Sequence, residues 1–278
     1  MPLSLLPYLR DVPVAGGLVE RFQPSTELAA VIDRFYFVPA GAWAGPTMAF
    51  SDGIPTLVFT MTGNQVIFSV AGNTFRPGPA WLNSPYLEQS LMWQQRKEAL
   101  LIVRFRPAHG YHLFGAVAPG TGDRHCRELP AALGQAGVAL LRKVQQHDTP
   151  AGKIAAIEAF CLAQCIKDTK HNAMLERAIA LVGQYGGNIR VQELALKLKV
   201  TCKWLERNFL VNLGLSPKEY IRQQRFLLAC LSLSEKTDIA ALAQEHGYYD
   251  QSHFAKDFKR FTGKAPLQYL KVAGKAHD

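Results

Sequence analysis

The sequence predicts an α+β chain of two domains: a mostly β N-terminal part that closes into a small barrel or sandwich with a helical extension, then an all-α domain built on a duplicated two-helix unit. Three observations predict it. Apolar residues alternate with polar ones in short runs before residue 106, as strands require. The segment from Leu194 to Tyr220 recurs as Leu242 to Tyr269 with helical spacing of its apolar positions. And 278 residues exceed what one average core sustains, which makes two domains the natural division.

In the N-terminal part, Thr56 to Thr60 and Gln65 to Val70 flank the turn Thr62-Gly63-Asn64. Gly72-Asn73 marks the next turn, and Leu91 to Gln95 and Leu100 to Arg106 follow. Along the last of these, Leu101, Val103 and Phe105 alternate with Ile102, Arg104 and Arg106, the pattern of a half-buried strand. Arg104 and Arg106 read as a solvated strand face, with contact to an anionic effector as the sharper alternative. Trp81, Trp93, Phe50, Phe59 and Phe68 read as core more readily than as the lining of one pocket. Helices are expected over about 131–146 and 153–166, before a polar linker at 167–172.

In the repeat, Leu194, Ala195 and Val200 match Leu242, Ala243 and Tyr248 at an offset of 48, whereas Leu205, Phe209, Gly214, Pro217 and Tyr220 match Phe254, Phe258, Gly263, Pro266 and Tyr269 at 49. One residue has been inserted in a turn. Each copy reads as a short amphipathic helix (191–198; 239–246), a tight turn and a second helix (202–210; 251–261), which is a helix-turn-helix pattern. Thr201 and Asp250 stand where an N-cap would accept from orphan backbone N–H groups. Leu205 with Phe209, and Phe254 with Phe258, are four apart and define one buried stripe per second helix. Between the copies, Ser216-Pro217-Lys218-Glu219 reads as a capping box opening a spacer helix to about Leu233.

Charge points the same way. Residues 171–278 carry 16 Lys and Arg against 10 Asp and Glu, while residues 1–170 carry 15 against 12. The basic C-terminal part favours a polyanionic partner. No run reaches the length of a membrane helix, and prolines interrupt the first residues where a signal peptide needs an apolar stretch. Five scattered cysteines form no CxxC pair and fit a reducing compartment, so a cytoplasmic protein without metal or cofactor is expected. Neither a phosphate-binding glycine loop nor a nucleophile elbow is present.

Leu215-Ser216-Pro217-Lys218-Glu219-Tyr220-Ile221-Arg222, with Gly247-Tyr248-Tyr249-Asp250-Gln251-Ser252-His253-Phe254 and Phe258-Lys259-Arg260-Phe261-Thr262-Gly263, makes the stretch from about Met174 to Leu270 resemble the DNA-binding domain of AraC/XylS-type transcriptional regulators. The resemblance implies DNA contact from Thr201, Lys203, Glu206 and Arg207 in the first recognition helix and from Gln251, Ser252, His253 and Lys256 in the second. Glu206 would repel phosphate unless it accepts from a cytosine amino group or pairs with a cation, so the second helix is expected to make the stronger base contacts. Lys199 holds the first turn where Gly247 holds the second; a left-handed backbone there costs on the order of 1 kcal/mol and would distort that turn.

Residues 1–168 more weakly resemble the cupin-like sensory domains that precede such DNA-binding domains, including an uncharacterised type with a Pro-Asp-Gly turn, here Ser51-Asp52-Gly53. The resemblance implies a transcriptional regulator with its DNA-binding domain at 172–278. Its partners would be double-stranded promoter or operator DNA, with a small-molecule effector, a homodimer contact through the N-terminal domain and RNA polymerase as further candidates. The competing expectation is a cupin-type metal-dependent enzyme fused to a DNA-binding domain. Its closest histidine pair, His109 and His112, has no matching carboxylate, so no catalytic residue is assigned.

Overall fold

A computed structural model describes residues 19–40, 47–49, 53–54, 56–62, 68–70, 73–83, 91–93, 98–106, 126–165, 173–233 and 237–274. The N-terminal strands are β1 (Glu20–Phe22), β2 (Ile32–Val38), β3 (Thr47–Ala49), β4 (Thr56–Thr60), β5 (Phe68–Val70), β6 (Asn73–Phe75), β7 (Ala80–Asn83), β8 (Leu91–Trp93), β9 (Leu100–Phe105) and β10 (Cys126–Glu128). They form two antiparallel sheets, one of six strands in the order β1-β2-β9-β4-β7-β10 and one of four in the order β3-β8-β5-β6.

The six-stranded sheet is covered on both faces. Phe35, Leu57, Phe59, Leu101 and Val103 belong to one buried cluster with Leu140, Val144, Ile154 and Ile157 of the helices that follow, while Tyr36, Val58, Trp81 and Ile102 belong to another. β9 is therefore not the half-buried strand its alternation suggested. Ile102 is buried, and Arg104 is held in an ion pair with Asp33 of β2 at 2.9 Å. That pair corrects the reading of Arg104 as a solvated or effector-binding side chain: a mostly buried arginine needs a carboxylate, and Asp33, at the register shift between Ile32 and Arg34 in the β2–β9 pairing, supplies one. Arg106 donates from Nε to the carbonyl of Ala29 at 2.7 Å.

The aromatic set also divides. Val58 stands opposite Trp81 and Phe59 opposite Ala80, so Trp81 and Phe59 emerge on opposite faces and cannot line one pocket. The side chains of Phe50, Phe68 and Trp93, and the calls on Ser51, Asp52, His109 and His112, lie outside the described residues.

The helical extension comprises α1 (Leu129–Leu133), α2 (Gln135–Gln145) and α3 (Pro150–Cys165). The single helix expected over 131–146 is broken at Gly134, whose φ of 58° and ψ of −137° only glycine adopts readily. α3 begins at Pro150, earlier than read, because proline suits a first helical turn and Thr149 Oγ1 accepts from Gly152 N at 3.2 Å. Lys153, buried between sheet and helices, donates from Nζ to the carbonyl of Val144 at 3.2 Å; burial lowers its pKa, while Asp148 and Glu98 oppose that shift. Among the described residues no helix is long and apolar enough to cross a membrane, and no three His, Cys, Asp or Glu side chains gather to hold a metal ion.

The C-terminal region is all helix: α4 (Ala173–Gln184), α5 (Val191–Leu198), α6 (Cys202–Leu213), α7 (Pro217–Leu231), α8 (Ile239–Glu245), α9 (Gln251–Thr262) and α10 (Pro266–Gly274). It holds two cores. Leu175, Leu194, Leu205, Phe209 and Leu213 gather around the first helix pair, and Leu242, Phe254, Phe258 and Phe261 around the second. α7 serves both: Tyr220 and Ile221 at its start join the first core, and Phe226, Leu227 and Cys230 further along join the second.

Candidate nucleic-acid interface

The two helix pairs, α5–α6 and α8–α9, share one backbone design. α5 ends with Val200 N bonded to Ala195 O at 3.0 Å and Lys199 N to Leu196 O at 3.1 Å. α8 ends with Tyr248 N bonded to Ala243 O at 2.9 Å and Gly247 N to Gln244 O at 3.0 Å. Both are Schellman endings, which need a left-handed residue just after the helix. Gly247 supplies it with φ 72°, and Lys199 with φ 57° is the one non-glycine with positive φ among the described residues. The first turn is therefore not distorted by its lysine: packing of Val200 into the first core holds Lys199 in the left-handed region against its preference.

Each second helix is capped as read. Thr201 Oγ1 accepts from Trp204 N at 3.1 Å, and Asp250 Oδ1 from His253 N at 2.7 Å. The inserted residue is Tyr249, 89% exposed and immediately before the Asp250 cap, so the second turn carries an aromatic side chain that the first lacks. The change of offset located this insertion in the sequence without marking it as functional.

α6 runs to Leu213 and α9 to Thr262, longer than read, because Leu213 and Phe261 continue the buried stripes begun by Leu205 and Phe254. The opposite face is open. Thr201, Lys203, Glu206 and Arg207 are all exposed, as are Gln251, Ser252, His253 and Lys256. Lys259 and Arg260 extend the basic face of α9. The His253 ring also stands edge-on to Tyr248 at 5.3 Å, which limits where its imidazole can point.

What lies beneath α9 was not legible in sequence. Asp257, 1% exposed on its inner face, receives Arg222 of α7, whose Nε lies 2.9 Å from both carboxylate oxygens and whose Nη2 also contacts Oδ1. The same guanidinium lies 5.9 Å from the Phe261 ring centroid. Phe226, Phe254, Phe258, Phe261 and Tyr269 complete an aromatic cluster with centroids 4.5 to 5.6 Å apart, edge-to-face except for the tilted Phe226–Phe261 pair. α9 is thereby held to α7 by one buried charge pair and one aromatic cluster.

Arg225, one residue short of the next turn of α7 from Arg222, ties the two units together. Its Nε donates to the carbonyl of Gly187, after α4, at 2.9 Å and its Nη1 to that of Gly247, in the second unit's turn, at 3.4 Å. Its guanidinium lies 5.7 Å from the Tyr248 ring centroid. The turns abut so closely that a Cβ on Gly247 would stand 2.6 Å from the Asn188 side chain.

Two helix pairs of one geometry, joined through a shared helix and each presenting a capped second helix with a polar outer face, define a double helix-turn-helix domain. The profile of the helix-turn-helix domain family matches residues 194–271. The Msm operon regulatory protein of Streptococcus mutans is 36% identical over 89 residues, 32% of each chain. The HTH-type transcriptional activator RhaS of Pectobacterium carotovorum is 26% identical over 138 residues, 45% of this chain and 49% of its own. A structure of ToxT from Vibrio cholerae aligns over 91% of this chain and 98% of its own, at 13% identity and a TM-score of 0.43. Residues 194–271 thus match a helix-turn-helix domain, and both curated relatives overlap this chain over only part of their length. The chain spans between 28% and 49% of the length of the curated relatives it matches.

Proposed function

We propose that this protein is a sequence-specific DNA-binding regulator of transcription, in which α6 and α9 enter two successive segments of the major groove. One observation carries the reading: two capped helices with polar, largely basic outer faces are fixed on a single frame. α7 has 15 residues, or roughly 22 Å at 1.5 Å per residue. With the width of the flanking units, this suits recognition helices about 34 Å apart, one turn of DNA. In this reading Gln251, Ser252 and His253 of α9 reach base edges, while Lys203, Arg207 and Lys256 meet phosphates. Thr201 contributes at the mouth of the first helix, and Glu206 restricts which base α6 accepts.

The N-terminal domain controls this interface, through a small-molecule effector or a contact between two copies of the chain. Thermal shift against a metabolite panel separates these two controls, because a ligand that binds the folded state raises its apparent stability.

The test of the reading is selection of bound fragments from a random DNA pool by the full chain at two salt concentrations. Enrichment of a sequence with two half-elements about one helical turn apart supports it. Binding without any sequence enrichment removes sequence specificity from the proposal, and no binding even at low salt overturns it.

A further inference from the structure

Gly53 is the described residue of the Ser51-Asp52-Gly53 segment, and the structure gives it an unusual neighbour. Gly53 has φ +83°, and a Cβ built on it would stand 2.9 Å from Cε2 and 3.0 Å from Cδ2 of Tyr220, and 3.5 Å from Nε2 of Gln223. Both partners belong to α7. A backbone segment of the N-terminal domain thus lies directly against the helix that joins the two helix-turn-helix units, at a distance only glycine permits.

The next residue goes deeper. Ile54, 4% exposed, belongs to the same buried cluster as Leu175, Leu205, Phe209 and Tyr220, which is the core of the first unit. The Phe209 and Tyr220 rings meet edge-on at 5.5 Å. Phe209 and Leu205 form the inner stripe of α6, opposite Lys203, Glu206 and Arg207. Two residues after Ile54 in sequence begins β4, which is paired along both edges, with β7 and with β9. Gln223, a polar side chain only 2% exposed in the middle of α7, sits at this junction, its Nε2 3.5 Å from where a Cβ on Gly53 would stand.

We propose that Gly53 and Ile54 form a plug through which the N-terminal domain sets the position of the first recognition helix. The plug joins the centre of the six-stranded sheet to the core behind α6. A change in that sheet, whether from a ligand or from a second copy of the chain, reaches the seat of α6 through this plug. The second unit meets the sheet separately, in one buried cluster with Tyr36, Val58, Trp81 and Ile102 that does not include Ile54, so a change at Ile54 itself acts on the first unit. This inference rests on the regulator reading for its consequence on DNA, but the coupling itself is a property of the folded chain.

The experiment uses the full-length protein with Ile54→Ala and, as a milder change that keeps the fold, Ile54→Val; Gly53→Ala tests the close approach. Amide hydrogen exchange is followed separately in α5–α6 and α8–α9, and footprints are taken on a fragment enriched by the wild-type chain. Exchange in α6 should rise about tenfold or more in Ile54→Ala and less in Ile54→Val, with α9 unchanged, because deleting a buried methylene loosens the segment it packs against. Protection of one half-element should weaken about tenfold while the other keeps its wild-type protection. Equal change in α6 and α9, or none in either, overturns the proposal. If the wild-type chain enriches no DNA, the regulator reading fails and the exchange measurement still decides the coupling.

Discussion

Replacing Arg222 with Met would strand the Asp257 carboxylate, 1% exposed, beneath the second recognition helix. Removing one partner of a buried pair costs about 3–5 kcal/mol, chiefly because the remaining charge keeps its desolvation penalty. Arg222 itself is 36% exposed, so water can partly enter the space it leaves, which places the loss near the lower end, about 3 kcal/mol. In a chain of this size that corresponds to a drop in Tm of roughly 6–12 °C if unfolding is two-state. The double variant Arg222→Met with Asp257→Leu removes the stranded charge as well and should recover most of the loss, since an apolar replacement of a buried pair is often neutral. Urea or thermal unfolding of the two singles and the double forms the cycle. A single-variant loss under about 1 kcal/mol, or a double variant as unstable as Arg222→Met, would refute the argument that burial of Asp257 is what makes Arg222 necessary.

The backbone gives a paired prediction. Lys199→Gly should stabilise by up to about 1 kcal/mol, because glycine takes φ 57° without strain, whereas Gly247→Ala should destabilise, because its Cβ would meet Asn188 at 2.6 Å; thermal melts decide both. On DNA, Lys256→Ala should weaken binding and make the salt slope shallower by about one unit, while Gln251→Ala should change the selected sequence; an unchanged slope in the first removes Lys256 from the phosphate contacts. The pH dependence follows from His246, at the end of α8. Burial lowers its pKa, with Glu245 opposing, so the unfolded chain takes up the proton first as pH falls. This contribution to stability is therefore intact above the ordinary histidine value of about 6.5 and is lost below it. His246→Gln should flatten the change in urea midpoint over that range, and an equally steep change in the variant would assign it to another group.

Local rules made much of the C-terminal domain readable. Thr201, Asp250 and Ser216 were recognisable as caps because each bonds to a backbone group within three residues. The apolar stripe of α6 repeats in α9 because the same packing problem is solved twice. The N-terminal sheet was less legible. β2 runs Ile32-Asp33-Arg34-Phe35-Tyr36-Phe37-Val38, and with both faces covered it shows no clean alternation to announce it. Neither ion pair could be read: Arg104 meets Asp33 across 71 residues and Arg222 meets Asp257 across 35. Gly53 read only as a turn residue, since its contact with Tyr220 is made by the fold and leaves no local signature.

These long-range contacts explain how one chain can present two reading helices without a second copy to space them. A pair of units linked by a flexible segment would lose much of the second binding event to the freedom of the link. Here the link is α7, whose two ends are buried in different cores, so it cannot bend without opening one of them. Arg225 removes the remaining freedom of rotation by holding carbonyls from both sides, Gly187 before the first unit and Gly247 within the second. The separation between α6 and α9 is then a property of the fold, set before DNA is met. Within so rigid a frame the sheet domain bears on both units, on the second through the cluster of Tyr36, Val58, Trp81 and Ile102 with Phe226, Phe254 and Phe258, and on the seat of α6 through Ile54.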